Sequence, residues 1–465
     1  MKGQPQTGTY PSSKRKIAQK VIGLLVLLVV TNLEGRAEAI HAADALERGP
    51  ATSHSSAQLQ IHKARRTSRE RNFNTNEATE PLEELLRSYK TRHNACTSSK
   101  ALPGRYIVVR TYDWMAGLGN TLPSVVSGLL LALLMERCLF VDFHFFNEYF
   151  THELDFSWDR HAERLLAHGH NASLPENIPA PFASGHPTTS NFSEVADVWM
   201  FRDIPVHYER HYGIEVLADL DWSAALLQSN PFHQAFLDKY FPRREIFRPL
   251  ASFLLRPAPQ YDHKITAFKR KHFTHFTIGL QIRRRKCDFE ELHCDTRPSI
   301  ESYCDVARSI QLARDVADSD VRFFIAADVP ETYPQVTKIL GRERVIFVED
   351  GIVKFSPIRD RGKNPIGNPG SLESALVDIA LLSQCDDIIT TFASSFGYVA
   401  AAWGGIAPVH MMFGTHESSQ NPYWYRALSS EPCYWQAKRL MRDISEAAVK
   451  RFRSNPLWIQ YSQCH

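Results

Sequence analysis

The second half of the chain has the most regular hydrophobic pattern, in which short apolar runs alternate with amphipathic segments. Strands are predicted at 276–283, 321–327, 344–348, 388–392 and 407–413, and helices at 300–318, 331–340, 371–383 and 395–403. Repeated strand–helix units predict a parallel sheet with helices on both faces. This half is therefore predicted to be a Rossmann-like domain.

A shorter unit of the same kind precedes it. A β-rich run at 106–109 leads through a glycine-containing turn to a helical stretch at 122–137 and a strand at 138–143. The region 144–260 is aromatic and is predicted to be irregular. We therefore predict an α/β protein with two Rossmann-like domains facing a cleft, an architecture shared by many sugar-nucleotide enzymes.

The first residues carry a targeting pattern. Basic residues at 14–20 precede an apolar run at 21–30, which is typical of a secretory entry signal. The run is shorter than the ~20 residues of an ordinary spanning helix. A cleaved signal, which would release the protein, and a short retained anchor both stay open. The body of the chain is predicted to be lumenal or extracellular in either case.

Four regions follow from these patterns. They are a cytoplasmic tail and signal anchor at 1–33, a flexible stem at 34–100, an N-terminal α/β domain at 101–272 and a C-terminal Rossmann-like domain at 273–465. The net charge of +3 over 465 residues is far from the basic excess of nucleic-acid-binding proteins. No nucleic-acid partner is therefore predicted.

Eight cysteines in an oxidising lumen predict disulfide bonds. Cys287, Cys294 and Cys304 are too widely spaced for the usual zinc pattern, and disulfides are their expected use. Cys138 and Cys385 lie in apolar element patterns and are expected to be buried free thiols.

The strand at 276–283 ends in guanidinium groups, since Arg283, Arg284, Arg285 and Lys286 follow in a row. Open α/β sheets bind ligands beyond the carboxyl ends of their strands. A guanidinium is a planar fork of donors that matches phosphate oxygens. Arg283 and Arg284 are therefore candidate ligands of a diphosphate. The alternative is a strand that runs into a solvated basic loop.

The segment 390–398 is a second anion-binding feature, predicted at the same sheet edge. It closes a strand and opens a helix, where Ser394 or Ser395 is the predicted N-cap. Free amides at a helix N-terminus bind phosphate, and Gly397 would let a ligand approach the backbone closely. Thr391 and Phe396 complete this predicted cradle. The alternative is a plain serine-capped helix.

Carboxylates follow both neighbouring strands. Asp328 comes directly after the strand at 321–327 and is a candidate donor-site residue, with an N-cap of the next helix as the alternative. Asp288, Glu290 and Glu291 follow the arginines and are placed to take a proton from an acceptor hydroxyl or to neutralise nearby charge. Asp288 is our candidate general base.

The glycine-containing turn of the first domain is Gly117-Leu118-Gly119-Asn120. It is not a dinucleotide fingerprint, because Leu122 stands where a third glycine is expected. Gly117, Gly119 and Asn120 are candidate cleft residues that approach the sugar donor or acceptor. The alternative is a tight turn without a ligand.

Two aspartate pairs match the pattern that holds a divalent metal on a nucleotide diphosphate. They are Asp219–Asp221 and Asp318–Asp320. The second pair precedes a strand and so lies at the wrong end of the sheet for ligands. The pattern arises easily by chance, and we predict no metal site.

Taken in order, these segments resemble the plant xyloglucan α-1,2-fucosyltransferase family. The likeness rests on Gly-Leu-Gly-Asn at 117–120, Ile-Gly-Leu-Gln-Ile-Arg at 278–283, Phe-Ile-Ala-Ala-Asp at 324–328, Thr-Phe-Ala-Ser-Ser-Phe-Gly-Tyr-Val-Ala at 391–400, Gly404-Gly405 and Ser-Glu-Pro-Cys at 430–433. Thr121 departs from the arginine that the family commonly has there, and 145–270 is not recognisably similar. The acceptor is therefore not assumed to be xyloglucan.

The resemblance implies a type II Golgi membrane enzyme with a lumenal, GT-B-like catalytic part. It implies inverting transfer of fucose from GDP-fucose to a glycan, a cell-wall-type polysaccharide or a glycoprotein glycan, without a cofactor or a required metal. It further implies that 273–465 is the donor-binding domain and 101–272 the acceptor-side domain. Arg283 would then hold the donor diphosphate, residues 394–397 would complete the cradle, and Asn120 would lie at the cleft. A homodimer stays open beside a monomer.

Two alternatives are kept. One is a metal-dependent glycosyltransferase that uses Asp219 and Asp221. The other is a lumenal glycan-binding protein without catalysis, whose aromatic residues at 145–270 stack on sugar rings.

Overall fold

The computed structural model describes residues 79–98, 105–111, 117–143, 146–169, 199–209, 213–218, 222, 224–284, 297–349, 369–412 and 423–432. These residues lie within one compact unit. No helix among them is both long and apolar enough to cross a bilayer. The predicted signal at 1–33 and most of the predicted stem lie outside the described residues.

The N-terminal half is built around three strands. Its elements are α1 (Glu80–Thr97), β1 (Tyr106–Thr111), α2 (Leu118–Leu134), β2 (Cys138–Asp142), α3 (Phe146–Tyr149), α4 (Trp158–Gly169), α5 (Ile204–His207), β3 (Gly213–Ala218), α6 (Ala224–Leu227), a 3₁₀ turn (Pro231–His233), α7 (Gln234–Tyr240), α8 (Phe247–Leu254) and α9 (Pro259–His272). The strands form a parallel sheet in the order β2-β1-β3.

The C-terminal half contains the larger sheet. Its elements are β4 (Phe276–Ile282), α10 (Ile300–Ala313), β5 (Val321–Ala327), α11 (Thr332–Leu340), β6 (Val345–Ile346), α12 (Pro369–Leu382), β7 (Asp387–Thr391), α13 (Ser395–Gly404), β8 (Val409–Met411) and β9 (Trp424–Arg426). The order is β6-β5-β4-β7-β8-β9, and β9 alone of these six is antiparallel to its neighbour. Every residue of β4 is buried, as expected of a central strand covered on both faces.

The predicted class, an α/β fold with two Rossmann-like halves of the GT-B kind, is confirmed. The prediction that 144–260 is irregular is wrong, because the described part of that region contains short helices and β3. One hydrophobic cluster joins the halves, running from α2 and α8 to α12 and α13. Helix α2 is apolar on all sides and buried from Thr121 to Leu133, which is what a helix enclosed between two layers requires.

The cysteine predictions are partly wrong. Cys138 is not a free thiol, because it forms a disulfide with Cys96 and so ties α1 to β2. Cys304 is a buried free thiol and not part of a disulfide, since it faces the core from α10. Cys385 is buried and free, as predicted. Cys287 and Cys294 lie outside the described residues.

A buried carboxylate ties the end of the described chain to the N-terminal half. One oxygen of Glu431 accepts the backbone N–H groups of Ile246 and Phe247, at 2.8 and 2.9 Å, at the start of α8. The other oxygen accepts the indole N–H of Trp222 at 3.1 Å. Burial raises the pKa of Glu431 to about 8, although all three hydrogen bonds oppose that shift. Glu431 therefore caps α8 from a distant part of the sequence.

We expect Glu431→Ala to lower the free energy of unfolding by about 3 kcal/mol, because three buried N–H donors lose their acceptor. Urea unfolding of the variant beside the parent measures this. Glu331→Ala is the matched control, since Glu331 is exposed and its loss should cost less than about 0.5 kcal/mol. Equal stability of the two variants would contradict the capping role.

Candidate functional site

Two helices, one from each half, meet at their N-termini. Helix α2 opens at Gly117 and α13 opens at Ser394, and neither N-cap has a side-chain capping bond. A Cβ atom on Gly119 would lie 2.7 Å from the backbone nitrogen of Phe396, so the two backbones touch. The side chains of Asn120 and Ser395 are hydrogen-bonded across the same contact. The carboxyl edges of both sheets therefore face each other here.

The turn into α13 has two features of an anion site. Ser394 is the N-cap, as predicted, but its hydroxyl is fully buried and has no hydrogen-bond partner among the described residues. Ala393 has φ of 57°, a left-handed conformation that costs a non-glycine residue about 1 kcal/mol. The N–H of Ala393 donates to the hydroxyl of Tyr398 at 2.7 Å, which fixes the strained turn.

Three arginines lie at the carboxyl end of β4 and in the segment before α10: Arg283, Arg284 and Arg297. The side chain of Arg283 is exposed, and no hydrogen bond or ion pair joins its guanidinium to another described residue. Arg284 donates its backbone N–H to Asp328 at 2.7 Å and its guanidinium to the carbonyl of Pro298 at 2.8 Å. This second bond holds the backbone beside Arg297 next to Arg284.

Arg297 belongs to the same electrostatic cluster. Burial lowers the pKa of its guanidinium, Asp328 opposes that shift, and the charges of Arg283 and Arg284 add to it. Arg297 thus lies within electrostatic range of Asp328, Arg283 and Arg284 at the carboxyl end of β4 and β5. The local excess of positive charge suits a ligand with more than one negative charge.

We call the carboxyl edge of the larger sheet, formed by Arg283, Arg284, Arg297, Asp328 and the turn at 391–397, the rim. Polar side chains beneath the rim hold its backbone. The amide oxygen of Gln281 accepts the backbone N–H of Thr391 at 3.1 Å, across the β4–β7 boundary. The hydroxyl of Thr391 accepts the backbone N–H of Arg283 at 2.8 Å. Arg283 and the turn that opens α13 are therefore joined through one residue, and the two predicted anion-binding features lie side by side.

Gly397 has a packing role that the sequence did not indicate. A Cβ atom there would lie 2.7 Å from the amide oxygen of Gln281 and 2.8 Å from Cβ of Thr390. The missing side chain therefore allows α13 to pack on the sheet, and the predicted close approach of a ligand stays a prediction. Phe396 is partly buried against the hydrophobic cluster that joins the halves.

The remaining predicted residues divide into three groups. Asp328 does not cap α11, whose N-cap is Glu331, so that alternative is wrong. Asp318 lies at the amino end of β5 and pairs with Arg344 at 2.9 Å, on the edge away from the rim. Asp288, Glu290, Glu291, Asp219 and Asp221 lie outside the described residues. The described part of the chain contains no cluster of His, Cys, Asp or Glu that could hold a metal ion.

Sequence reasoning missed Arg297 and Tyr303. Arg297 is separated from Arg283 by an irregular stretch, and only the fold brings the two together. In the sequence Tyr303 is indistinguishable from the other residues on the apolar face of its helix. In the structure its hydroxyl lies 2.7 Å from that of Thr391. A signal existed for Arg297, since it precedes Pro298 and the Ser299 N-cap at the carboxyl side of the sheet.

Comparisons with known proteins show similarity to fucosyltransferases in sequence and in fold. The family model described as xyloglucan fucosyltransferase matches residues 362–439. The protein named probable fucosyltransferase 5 of Arabidopsis thaliana is 25% identical over 77% of this chain and 75% of its own length. Putative fucosyltransferase 10 of the same plant is 25% identical over 71% of this chain and 68% of its own.

The chain is similar to plant fucosyltransferases over about three quarters of its length. These matches support glycosyltransferase activity. The solved structure of a mutant of Arabidopsis thaliana FUT1 in complex with GDP supports the fold, with a TM-score of 0.56, 17% identity and coverage of 77% of this chain and 85% of that one. The individual roles of the rim residues remain predictions.

We expect Gly119→Ala to destabilise the contact between the two helix N-termini. The new methyl group would meet backbone atoms of Phe396 at 2.7–2.8 Å, and such overpacking costs about 2 kcal/mol. Thermal unfolding measures the loss. Gly117→Ala is the matched control, because no atom lies within 4 Å of its Cβ position. If both variants unfold at the same temperature as the parent, the tight contact is absent.

Proposed function

We propose that this chain transfers fucose from GDP-fucose to a hydroxyl of a glycan acceptor, with inversion at the anomeric carbon and an α-1,2 linkage. One observation carries the proposal: the turn before α13, with the buried hydroxyl of Ser394 that has no partner among the described residues, is joined through Thr391 to the backbone of Arg283, whose side chain is exposed. A helix N-terminus and a guanidinium beside each other are what a diphosphate needs. The FUT1 structure in complex with GDP supports a nucleotide at this kind of fold.

The rim acts on the leaving group. As the bond from fucose to GDP breaks, negative charge grows on the β-phosphate oxygen. The backbone of Arg283 is held by Thr391, and the amides at the start of α13 are fixed by the helix. Both therefore offer positive charge close to the leaving group as its negative charge develops. Arg284 and Arg297 raise the local positive potential and hold Asp328 between them. The protein's own cations then take the place of a metal ion, and no cofactor is needed.

The acceptor approaches from the N-terminal half. Gly119 and Asn120 bring that half against the turn at Ser395, so an acceptor bound there reaches the face of the sugar opposite to GDP. Asp288 is the proposed base for the acceptor hydroxyl. The proposed acceptor class is broad, a cell-wall-type polysaccharide or a glycoprotein glycan, because the resemblance is weakest across 145–270 and does not specify xyloglucan.

The proposed location is the Golgi membrane, with the catalytic part in the lumen and the segment at 1–33 as the anchor. The Cys96–Cys138 disulfide supports an oxidising compartment. A homodimer is retained as a proposal beside the monomer.

Arg283→Ala should lower the rate of transfer at least 100-fold, the magnitude typical of losing one fixed donor to a developing oxyanion. The transfer rate is measured as GDP release by the full chain in the presence of GDP-fucose and a panel of glycan acceptors. Arg322→Ala is the matched control, since Arg322 lies at the opposite, amino end of β5 and its guanidinium bonds the carbonyl of Ser319.

Because the Arg283 side chain is exposed, the variant should keep the unfolding temperature of the parent. Full activity in a folded Arg283→Ala variant would overturn the proposed role. Tight glycan binding without GDP release by the parent would favour the non-catalytic alternative.

Chelation separates the proposed mechanism from the metal-dependent alternative. Excess EDTA should leave the rate of GDP release within about twofold of the untreated enzyme, because the protein's own guanidiniums and helix amides stabilise the negative charge of the leaving GDP. Activity that disappears with EDTA and returns with manganese would instead point to Asp219 and Asp221, and Asp219→Asn would then abolish it.

A further inference from the structure

We infer that Tyr303 is a positioning residue of the donor site: its buried hydroxyl holds the hydroxyl of Thr391 in the one orientation that anchors both Arg283 and the turn before α13. This inference rests on the proposed function and goes beyond it, because Tyr303 lies outside every family motif quoted above. The residue acts from beneath the rim and contacts no substrate.

The hydroxyl of Thr391 is fully used. A threonine hydroxyl has one hydrogen to donate and two lone pairs to accept with. It donates to the carbonyl of Gln281 at 3.1 Å and accepts the backbone N–H of Arg283 at 2.8 Å. The remaining lone pair faces Tyr303 at 2.7 Å. Tyr303 must therefore be the donor in that bond, and each of the three partners fixes the direction of the other two.

The position of Tyr303 excludes direct contact with a ligand. Its side chain is 1% exposed, and it is held by α10 under the arginine cluster. Burial raises the pKa of the phenol above its usual value, so the proton that Thr391 requires stays on the oxygen at any pH the enzyme meets. A phenylalanine fits the same cavity without that proton.

Removal of the phenol O–H would leave a buried lone pair of Thr391 unpaired. The threonine hydroxyl could then rotate, and rotation would release either the carbonyl of Gln281 or the N–H of Arg283. The backbone of Arg283 would lose its fixed position, and its guanidinium would spend less time aligned with the diphosphate. The expected loss therefore appears in affinity for the nucleotide and not chiefly in overall stability.

The experiment measures GDP binding to the full-length, detergent-solubilised chain by calorimetry, together with KM and kcat for GDP-fucose. Tyr303→Phe should weaken GDP binding about tenfold, the equivalent of one net hydrogen bond, and should raise the KM for the donor by a similar factor. Thr391→Val should weaken binding at least as much. Thr391→Ser keeps the hydroxyl and should recover most of the affinity lost in Thr391→Val.

Tyr89→Phe is the matched control. Tyr89 is also a buried tyrosine, and its hydroxyl accepts the backbone N–H of Leu139 at 3.1 Å, far from the rim in α1. Tyr89→Phe should lower the unfolding temperature as much as Tyr303→Phe does, but should leave GDP affinity unchanged. The comparison therefore separates loss of stability from loss of nucleotide binding.

A double variant tests whether Tyr303 and Thr391 act through the same anchor. In the double variant Tyr303→Phe, Thr391→Val, GDP affinity should match that of Thr391→Val alone, because both changes remove the same anchor. Additive losses, or a Tyr303→Phe variant that binds GDP like the parent, would overturn the inference while leaving the proposed function in place. A parent chain that binds no GDP would overturn both.

Discussion

The structure depends on a contact that is electrostatically unfavourable by itself. Helices α2 and α13 meet at their N-termini, where each carries a partial positive charge. Arg283, Arg284 and Arg297 lie at the same rim with a single carboxylate, Asp328, described among them. An anion bound at this rim would offset the repulsion, and the buried hydroxyl of Ser394, which has no partner among the described residues, is consistent with the diphosphate position proposed above.

Neutral hydrogen bonds hold the backbone of this rim. Gln281 and Thr391 join β4 to β7, and the hydroxyl of Tyr398 fixes the left-handed Ala393. Behind them Thr390 bonds the ring of His410 at 2.8 Å, and burial lowers the pKa of His410 to about 3. A neutral support adds rigidity without neutralising the arginines. The positive potential therefore stays available to the ligand.

The sequence predicted the elements of the C-terminal half closely, because alternating apolar strands and amphipathic helices have distinct periods. Between 144 and 260 the hydrophobic pattern did not predict the elements. There β3 is short, and its Gly-Ile-Glu-Val-Leu-Ala run was not distinguished from the surrounding aromatic residues. Arg283 and residues 391–397 were identified because strand ends show in the sequence. Arg297 and Tyr303 were not, since their roles arise from contacts between elements far apart in the chain, and a buried hydroxyl has no periodic signal.

The departure at Thr121 now has a physical consequence. The family commonly has an arginine after Gly-Leu-Gly-Asn, and in this chain the threonine is buried and its hydroxyl donates to the carbonyl of Gly117 at 3.4 Å. It closes the first turn of α2 and brings no charge to the cleft. Among the described residues, the guanidiniums grouped at the rim come from the C-terminal half. In the proposed function, the N-terminal half then contributes the helix dipole and shape, so its surface can differ with the acceptor while the donor end of the site stays the same.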